Sequence, residues 1–277
     1  MRQANCLNCS MELTSDQKYC SACGQQAQTH RITFPHFIHE FLHAFTHADK
    51  GIFFLLKELT LHPGKVAREY INGKRKKYFN PFTFFLLVMA LYVFSNTVFL
   101  KAETSIPADP QQLARLTDPQ ARQYYIATME RASRAFGFMT HYGNVVSMIA
   151  VPFLSLISFL FYRKRGYNYA EHLTANLLFT SYNNLLFALL VVPVTSGMQR
   201  SGAHYSVLMS GLAFHAIYMS WGLSGFLQLR GFWRRTGALM VSVLAISLWV
   251  MISMSLIATY ILQNWSFLYT VDNMGHR

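Results

Sequence analysis

Four cysteines and one short histidine motif have the types and spacing that chemistry needs. Cys6, Cys9, Cys20 and Cys23 are all the cysteines of the sequence, and they form the pattern C-x2-C-x10-C-x2-C. Two such knuckles place four thiolates around one tetrahedral Zn²⁺ at about 2.3 Å each. Gly24 follows the second knuckle and suits the tight turn whose backbone N–H groups point at sulfur. Disulfides are disfavoured in a reducing cytoplasm, and a redox C-x-x-C needs one pair in a βαβ setting. Iron on the same four ligands fits the spacing as well. No fifth ligand stands nearby, so the expected centre is structural: one Zn²⁺ per chain in a ribbon over residues 1–30. A unit this small has too little core to fold without metal.

The second motif is His39-Glu40-Phe41-Leu42-His43, an H-E-x-x-H. On a helix the two histidines share a face and the glutamate can act as a general base, as in zinc metallopeptidases. The surrounding stretch gives a simpler account. At 100° per residue, Phe34, Phe37, Ile38, Phe41, Leu42 and Phe45 form one apolar face. His36, His39, Glu40, His43 and His47 form the opposite one, so a single glutamate in a histidine-rich amphipathic helix produces the motif. A third ligand would have to come from Asp49 or Glu58, which qualify only by proximity. The expectation is therefore no catalytic residue. A second metal site at His39, Glu40 and His43 and a membrane zinc metallopeptidase remain as the more distant alternatives.

The elements that position these residues follow from composition. The chain has 277 residues, 52% of them apolar and only 13% charged, against about 25% charged in soluble domains. Five apolar runs, 81–100, 143–162, 172–194, 205–227 and 237–262, are each long enough to cross about 30 Å of hydrocarbon at about 1.5 Å per residue. The sequence predicts an all-α integral membrane protein with about five transmembrane helices and a small N-terminal zinc ribbon. No apolar run follows the first basic residue, so no cleavable signal is expected and the N-terminus is placed in the cytoplasm. The basic clusters at 74–77, 163–165 and 230–235 then all fall inside, with 17 of the 24 Lys and Arg residues. That asymmetry accounts for the net charge of +12 without nucleic acid. The expected location is the inner (plasma) membrane, multi-pass, with residues 263–277 an external tail. Residues 101–142 are an external loop with a helix over about 111–136. Pro152 and Pro193 are candidate kinks. No internal repeat is apparent.

Residues 31–80 read as cytoplasmic amphipathic and juxtamembrane helices. Pro63-Gly64 breaks one and starts the next. Lys74, Arg75, Lys76 and Lys77 stand at the entrance of the first span, where they should meet anionic lipid headgroups at about 1 kcal/mol each. Part of their role is to orient that span.

These features carry a resemblance. A head with Cys6, Cys9, Cys20, Cys23, Gly24 and Gln25 precedes a run with Pro63, Gly64, Arg68, Glu69, Tyr70, Ile71, Gly73, Lys74, Arg75, Tyr78 and Pro81. Together they resemble the bacterial membrane proteins grouped as domain of unknown function 3667. Tyr169-Ala170-Glu171-His172 is similar too. The resemblance implies an integral membrane protein of the bacterial envelope and implies no known activity.

Within the spans, His172, Asn176, Thr180 and Asn183 share one stripe of the third, with Asn184 at its edge, and His215 lies in the fourth. Polar groups in lipid must face protein or water. The stripe is either an intramembrane polar site or a set of interhelical hydrogen bonds. No Asp, Glu, Lys or Arg lies deep in a span, which argues against a proton-driven transporter or ion pump. The expected function is a non-enzymatic scaffold or adaptor whose ribbon docks a cytoplasmic protein partner. The alternative is a transporter or channel-like protein using the stripe.

Overall fold

The computed structural model describes residues 5–14, 17–29, 31, 33, 51–99, 108–196 and 202–262. The H-E-x-x-H residues His39, Glu40 and His43 and the tail 263–277 lie outside the described residues. Apart from two isolated bridges in the cysteine module, the regular structure of the described residues is helical.

After Gly51 the chain forms a helical hairpin, α1 (Ile52–Leu61) and α2 (Pro63–Ile71). His62 leaves helical geometry between them, and Pro63 takes the first helical position, where its missing N–H costs nothing. A 3₁₀ turn, Arg75–Lys77, leads to α3 (Pro81–Phe99). Then come α4 (Pro110–Arg115) and α5 (Pro119–Tyr162). Three of these helices start with one device. Asn80, Asp109 and Asp118 each precede a proline, and their side-chain oxygens accept from backbone N–H groups of the first turn.

The third span is α6 (Tyr169–Leu186), a π-turn (Phe187–Val191) and α7 (Val192–Ser196), followed by α8 (Gly202–Phe226) and α9 (Phe232–Leu262). Among the described residues, five segments are long and apolar enough to cross a membrane: Arg75–Phe99, Val145–Arg165, Tyr169–Ser196, Ser206–Phe226 and Phe232–Leu262. Their outward residues, among them Phe94, Ile149, Leu190, Met240 and Leu256, are large, apolar and exposed, as lipid contact requires. The protein is thus an all-helical, multi-pass membrane-type bundle with a cysteine cluster at its N-terminal end.

The two candidate proline kinks behave differently. α5 runs 44 residues, through the loop helix and into the second span, and its one non-helical residue is Tyr142 rather than Pro152. Pro193 does perturb its span. It has no N–H for the Leu189 carbonyl and its ring crowds that group. The turn before it is widened to a π-turn, and the Ala188 carbonyl accepts instead from the Ser95 hydroxyl of α3 at 2.6 Å.

The α1–α2 hairpin is wedged into the bundle between α6 and α8. Leu55 and Leu59 of α1 and Val66, Ala67 and Tyr70 of α2 are buried in the core shared with Phe84, Phe179 and Phe226. The Tyr218 hydroxyl of α8 donates to the Leu59 carbonyl at 2.9 Å, and Thr60 and Tyr182 share a hydroxyl pair at 2.8 Å. Tyr218 lies about 12 Å short of the α8 end at about 1.5 Å per residue, so the hairpin tip sits well inside the bundle. Gly64 makes this possible. A Cβ there would stand 2.4 Å from the Phe226 nitrogen and 2.5 Å from the Gly222 oxygen.

Candidate metal centre and polar cavity

Each cysteine pair sits in one small hairpin. The Asn5–Glu12 bridge closes the first and the Tyr19–Gln26 bridge the second. In the first, Cys6 N donates to the Met11 carbonyl and Ser10 N to the Cys6 carbonyl, at 2.8 and 2.9 Å. In the second, Cys20 N donates to the Gln25 carbonyl and Gly24 N to the Cys20 carbonyl, both at 2.8 Å. Ser10 and Gly24 both take positive φ, 64° and 70°. The same turn is therefore built twice, a two-fold repeat that the sequence shows only as paired C-x2-C spacings.

The two hairpins bring the four sulfurs within 4.8 Å of one another. Cys6 and Cys23 Sγ are 3.6 Å apart, as are Cys9 and Cys20 Sγ. Four ligands at about 2.3 Å in a tetrahedron stand about 3.8 Å apart. The donor set fits a four-thiolate metal site, and the spacing is that of unbonded thiols. Cys6 and Cys20 are buried, so one side of the cluster faces protein and the other solvent.

The module is seated on the helices by three joints. Gln25, buried just after the second knuckle, accepts through Oε1 from the Lys76 backbone N–H at 3.0 Å. Gly73, at φ 104°, passes directly under the module. A Cβ there would meet Thr29 Oγ1 at 2.4 Å and Leu7 Cδ1 at 2.8 Å. Arg31 forms a two-pronged ion pair with Glu171 at the start of α6, Nε to Oε1 and Nη2 to Oε2, both 2.8 Å. Glu171 is itself fixed by a capping box, exchanging hydrogen bonds with Asn168. The N-x-x-E spacing before an apolar run is the one sequence signal for this joint. Nothing in the sequence marked Arg31 as the partner of Glu171, and Gln25 stood out only as part of the family resemblance.

A second set of joints holds the entrance of the first span. Glu69 accepts from Tyr78 Oη at 2.6 Å, Lys77 Nζ at 2.7 Å and Lys74 Nζ at 3.3 Å. Burial alone would raise its carboxyl, but the hydrogen bonds from Lys77, Tyr78 and Lys74 outweigh that and hold it at about 2. Two of the four cations assigned to lipid headgroups thus have a protein carboxylate as well. Arg68 Nη1 donates to the Gly225 carbonyl at 2.7 Å, tying α2 to α8.

The polar stripe of the third span divides into two groups. His172 and Asn176 are fully buried against α5. Ser158 Oγ is 3.0 Å from His172 Nδ1 and accepts from Asn176 Nδ2 at 2.9 Å, while its proton reaches the Ser155 carbonyl at 3.0 Å. That arrangement asks His172 to donate through Nδ1. The rings of Phe159 and Phe226 stand edge-on to it. Thr180, Asn183 and His215 instead line one cavity, together with Asn184. His215 comes from α8, so the cavity draws on polar residues of the third and fourth spans, the pair between which the sequence suggested a polar site.

A family model described as "Protein of unknown function (DUF3667)" matches residues 49–93. No curated protein and no solved structure matches the chain. The matched stretch contains α1, α2, the Arg75–Lys77 turn and most of α3, with Gly64, Arg68, Glu69, Gly73 and Tyr78 at their joints. The similarity to that family is thus confined to residues 49–93, the hairpin and most of the first span.

Proposed function

We propose that the chain is a non-enzymatic membrane scaffold or adaptor whose zinc ribbon docks a cytoplasmic protein. The zinc is structural and held by Cys6, Cys9, Cys20 and Cys23, with the N-terminus inside the cell and the C-terminus outside. The observation that carries this reading is the unequal use of the two knuckles. The second spends Gln25 on the bundle. Its counterpart in the first is Met11, which is 46% exposed. The module is held through Gln25 of the second copy and Leu7 of the first, and the Met11 side of the first copy is left for a partner. Arg75 and Lys76, beside the Glu69 clamp, face anionic headgroups in this arrangement. A transporter or channel-like role is the second reading, favoured by the polar cavity among the spans.

The test uses the full chain, purified and in its own membrane. Elemental analysis should find about one zinc per chain, lost in Cys20→Ser. Iron in its place would keep the ribbon and change the metal. A photo-crosslinking residue at Met11 should give one discrete adduct that disappears with Cys20→Ser while the protein stays in the membrane. No adduct, or one indifferent to the metal, overturns the adaptor reading. A second zinc lost on His39→Ala/His43→Ala would bring the metallopeptidase reading forward.

A further inference from the structure

The five spans surround a cavity of about 220 Å³. Tyr92 of α3, Ala150 of α5, Asn183 and Asn184 of α6, His215 of α8 and Trp249 of α9 all line it. Asn183 and Asn184 are 2% and 8% exposed. Asn183 Oδ1, Asn184 Nδ2 and His215 Nε2 are buried without a hydrogen-bond partner among the described residues. Three such atoms in residues that line one cavity, two on α6 and one on α8, are costly in a membrane bundle unless the cavity's contents satisfy them.

We propose that this cavity is a binding site for a small uncharged molecule of the amide type, one that both donates and accepts hydrogen bonds. Three features fix that class. No Asp, Glu, Lys or Arg lines the cavity, so a charged ligand would be left uncompensated in a low-dielectric interior. The amide orientations of Asn183 and Asn184 are interchangeable, so the wall offers donors and acceptors side by side. The size is sufficient: an apolar cavity of about 150 Å³ takes up a benzene ring, and this one is larger. Apart from Ser147, Thr180 and Ser253 the remaining wall is apolar and aromatic, which suits the body of such a molecule. Phe187, at the start of the π-turn, closes one side by packing over Gly211 of α8. The site requires neither a loaded ribbon nor passage across the membrane, so it stands apart from both readings above.

Trp249 lies in the wall and reports on the contents. The test is fluorescence quenching of the full chain in nanodiscs, with Trp221→Phe, Trp233→Phe and Trp265→Phe leaving Trp249 alone. Acrylamide, a neutral amide, should quench it and iodide should not. Acetamide, which does not quench, should lower the acrylamide quenching to a plateau, as a competitor does. In Asn183→Leu the half-effective acetamide concentration should rise about five-fold, the size of one hydrogen bond. Ala150→Leu, which fills the cavity and keeps its polar groups, should abolish the acetamide effect. The proposal is overturned if acetamide changes nothing, if iodide quenches as well as acrylamide, or if a folded Ala150→Leu behaves as the parent. Should the variants fail to fold, the acetamide competition in the parent protein decides alone.

Discussion

Gly64→Ala tests the wedge. The new methyl would lie 2.4 Å from the Phe226 nitrogen and 2.5 Å from both the Gly222 oxygen and the Gly225 carbonyl carbon. All three are backbone atoms, so no side chain can swing aside. To reach ordinary contact, α2 must back away from α8 by about 1 Å. The Arg68–Gly225 hydrogen bond, now 2.7 Å, would then pass the limit of about 3.5 Å. Overpacking costs about 1–3 kcal/mol and a charge-assisted hydrogen bond about 1.5–3 kcal/mol. The gain in helix propensity from glycine to alanine returns about 1 kcal/mol. The expected net loss is about 2–5 kcal/mol, or a fall in Tm on the order of 10 °C. Gly137→Ala is the matched control, because nothing stands within 4 Å of its Cβ position. It should be neutral to about 1 kcal/mol stabilising. The assay is thermal unfolding of the full chain in one detergent, followed by fluorescence. A Gly64→Ala protein that melts with the wild type would refute the close crossing and, with it, the seating of α2 inside the bundle.

The Glu69 clamp predicts a pH dependence. Its carboxyl is held at about 2 against an ordinary 4.5. The stabilisation is full above about pH 4.5 and fades as pH falls toward 2. Lys74 and Lys77 are partly exposed, so solvent screening limits the effect to about 1–2 kcal/mol. Thermal melts from pH 7 to pH 3 should show the gap between wild type and Glu69→Gln closing with acid; a constant gap would count against the ion cluster. The π-turn predicts a coupling. Ser95→Ala leaves the buried Ala188 carbonyl unpaired and should cost about 1–3 kcal/mol. Pro193→Ala restores the N–H that lets the turn close as an α-helix and should suppress most of that cost. A double-mutant cycle with coupling under about 0.5 kcal/mol would separate the two residues.

The spans were legible because lipid imposes a length and a composition that few other environments demand. The cysteine cluster was legible because metal ligation fixes spacing locally, within each knuckle. The hairpin wedge was not. α1 carries the exposed Phe53 and Phe54 beside the buried Leu55 and Leu59, and sequence alone does not say whether such a helix lies on a bilayer or between two helices. The difference is set by Gly222 and Gly225, more than 150 residues away in the chain, which leave room for Gly64. Arg31 and Glu171 are hidden for the same reason. Each is an ordinary charged residue until folding brings them to 2.8 Å. The split of the polar stripe depends on which helix faces each residue. Ser158 reaches His172 and Asn176, and no comparable hydroxyl meets Asn183 Oδ1.

That split separates two uses of buried polarity. Where a polar side chain joins elements, at least one partner is in place, while among the described residues His172 Nε2 and Asn176 Oδ1 are left without one. Gln25 has Lys76, Arg31 has Glu171, Glu69 has Lys74, Lys77 and Tyr78, and Arg68 has Gly225. These joints hold the cysteine module, the hairpin and the first span in one register. The residues of the matched segment are spent on such joints, so the segment explains assembly and is silent on chemistry. The cavity has the opposite character. Its partnerless polar atoms come from α6 and α8, outside residues 49–93. Asn183 and Asn184 are neighbours on α6 and His215 comes from α8, so a bundle that needed these groups only for cohesion would pair them across the two helices. Leaving them turned toward a shared space is destabilising for a bundle and useful for a ligand.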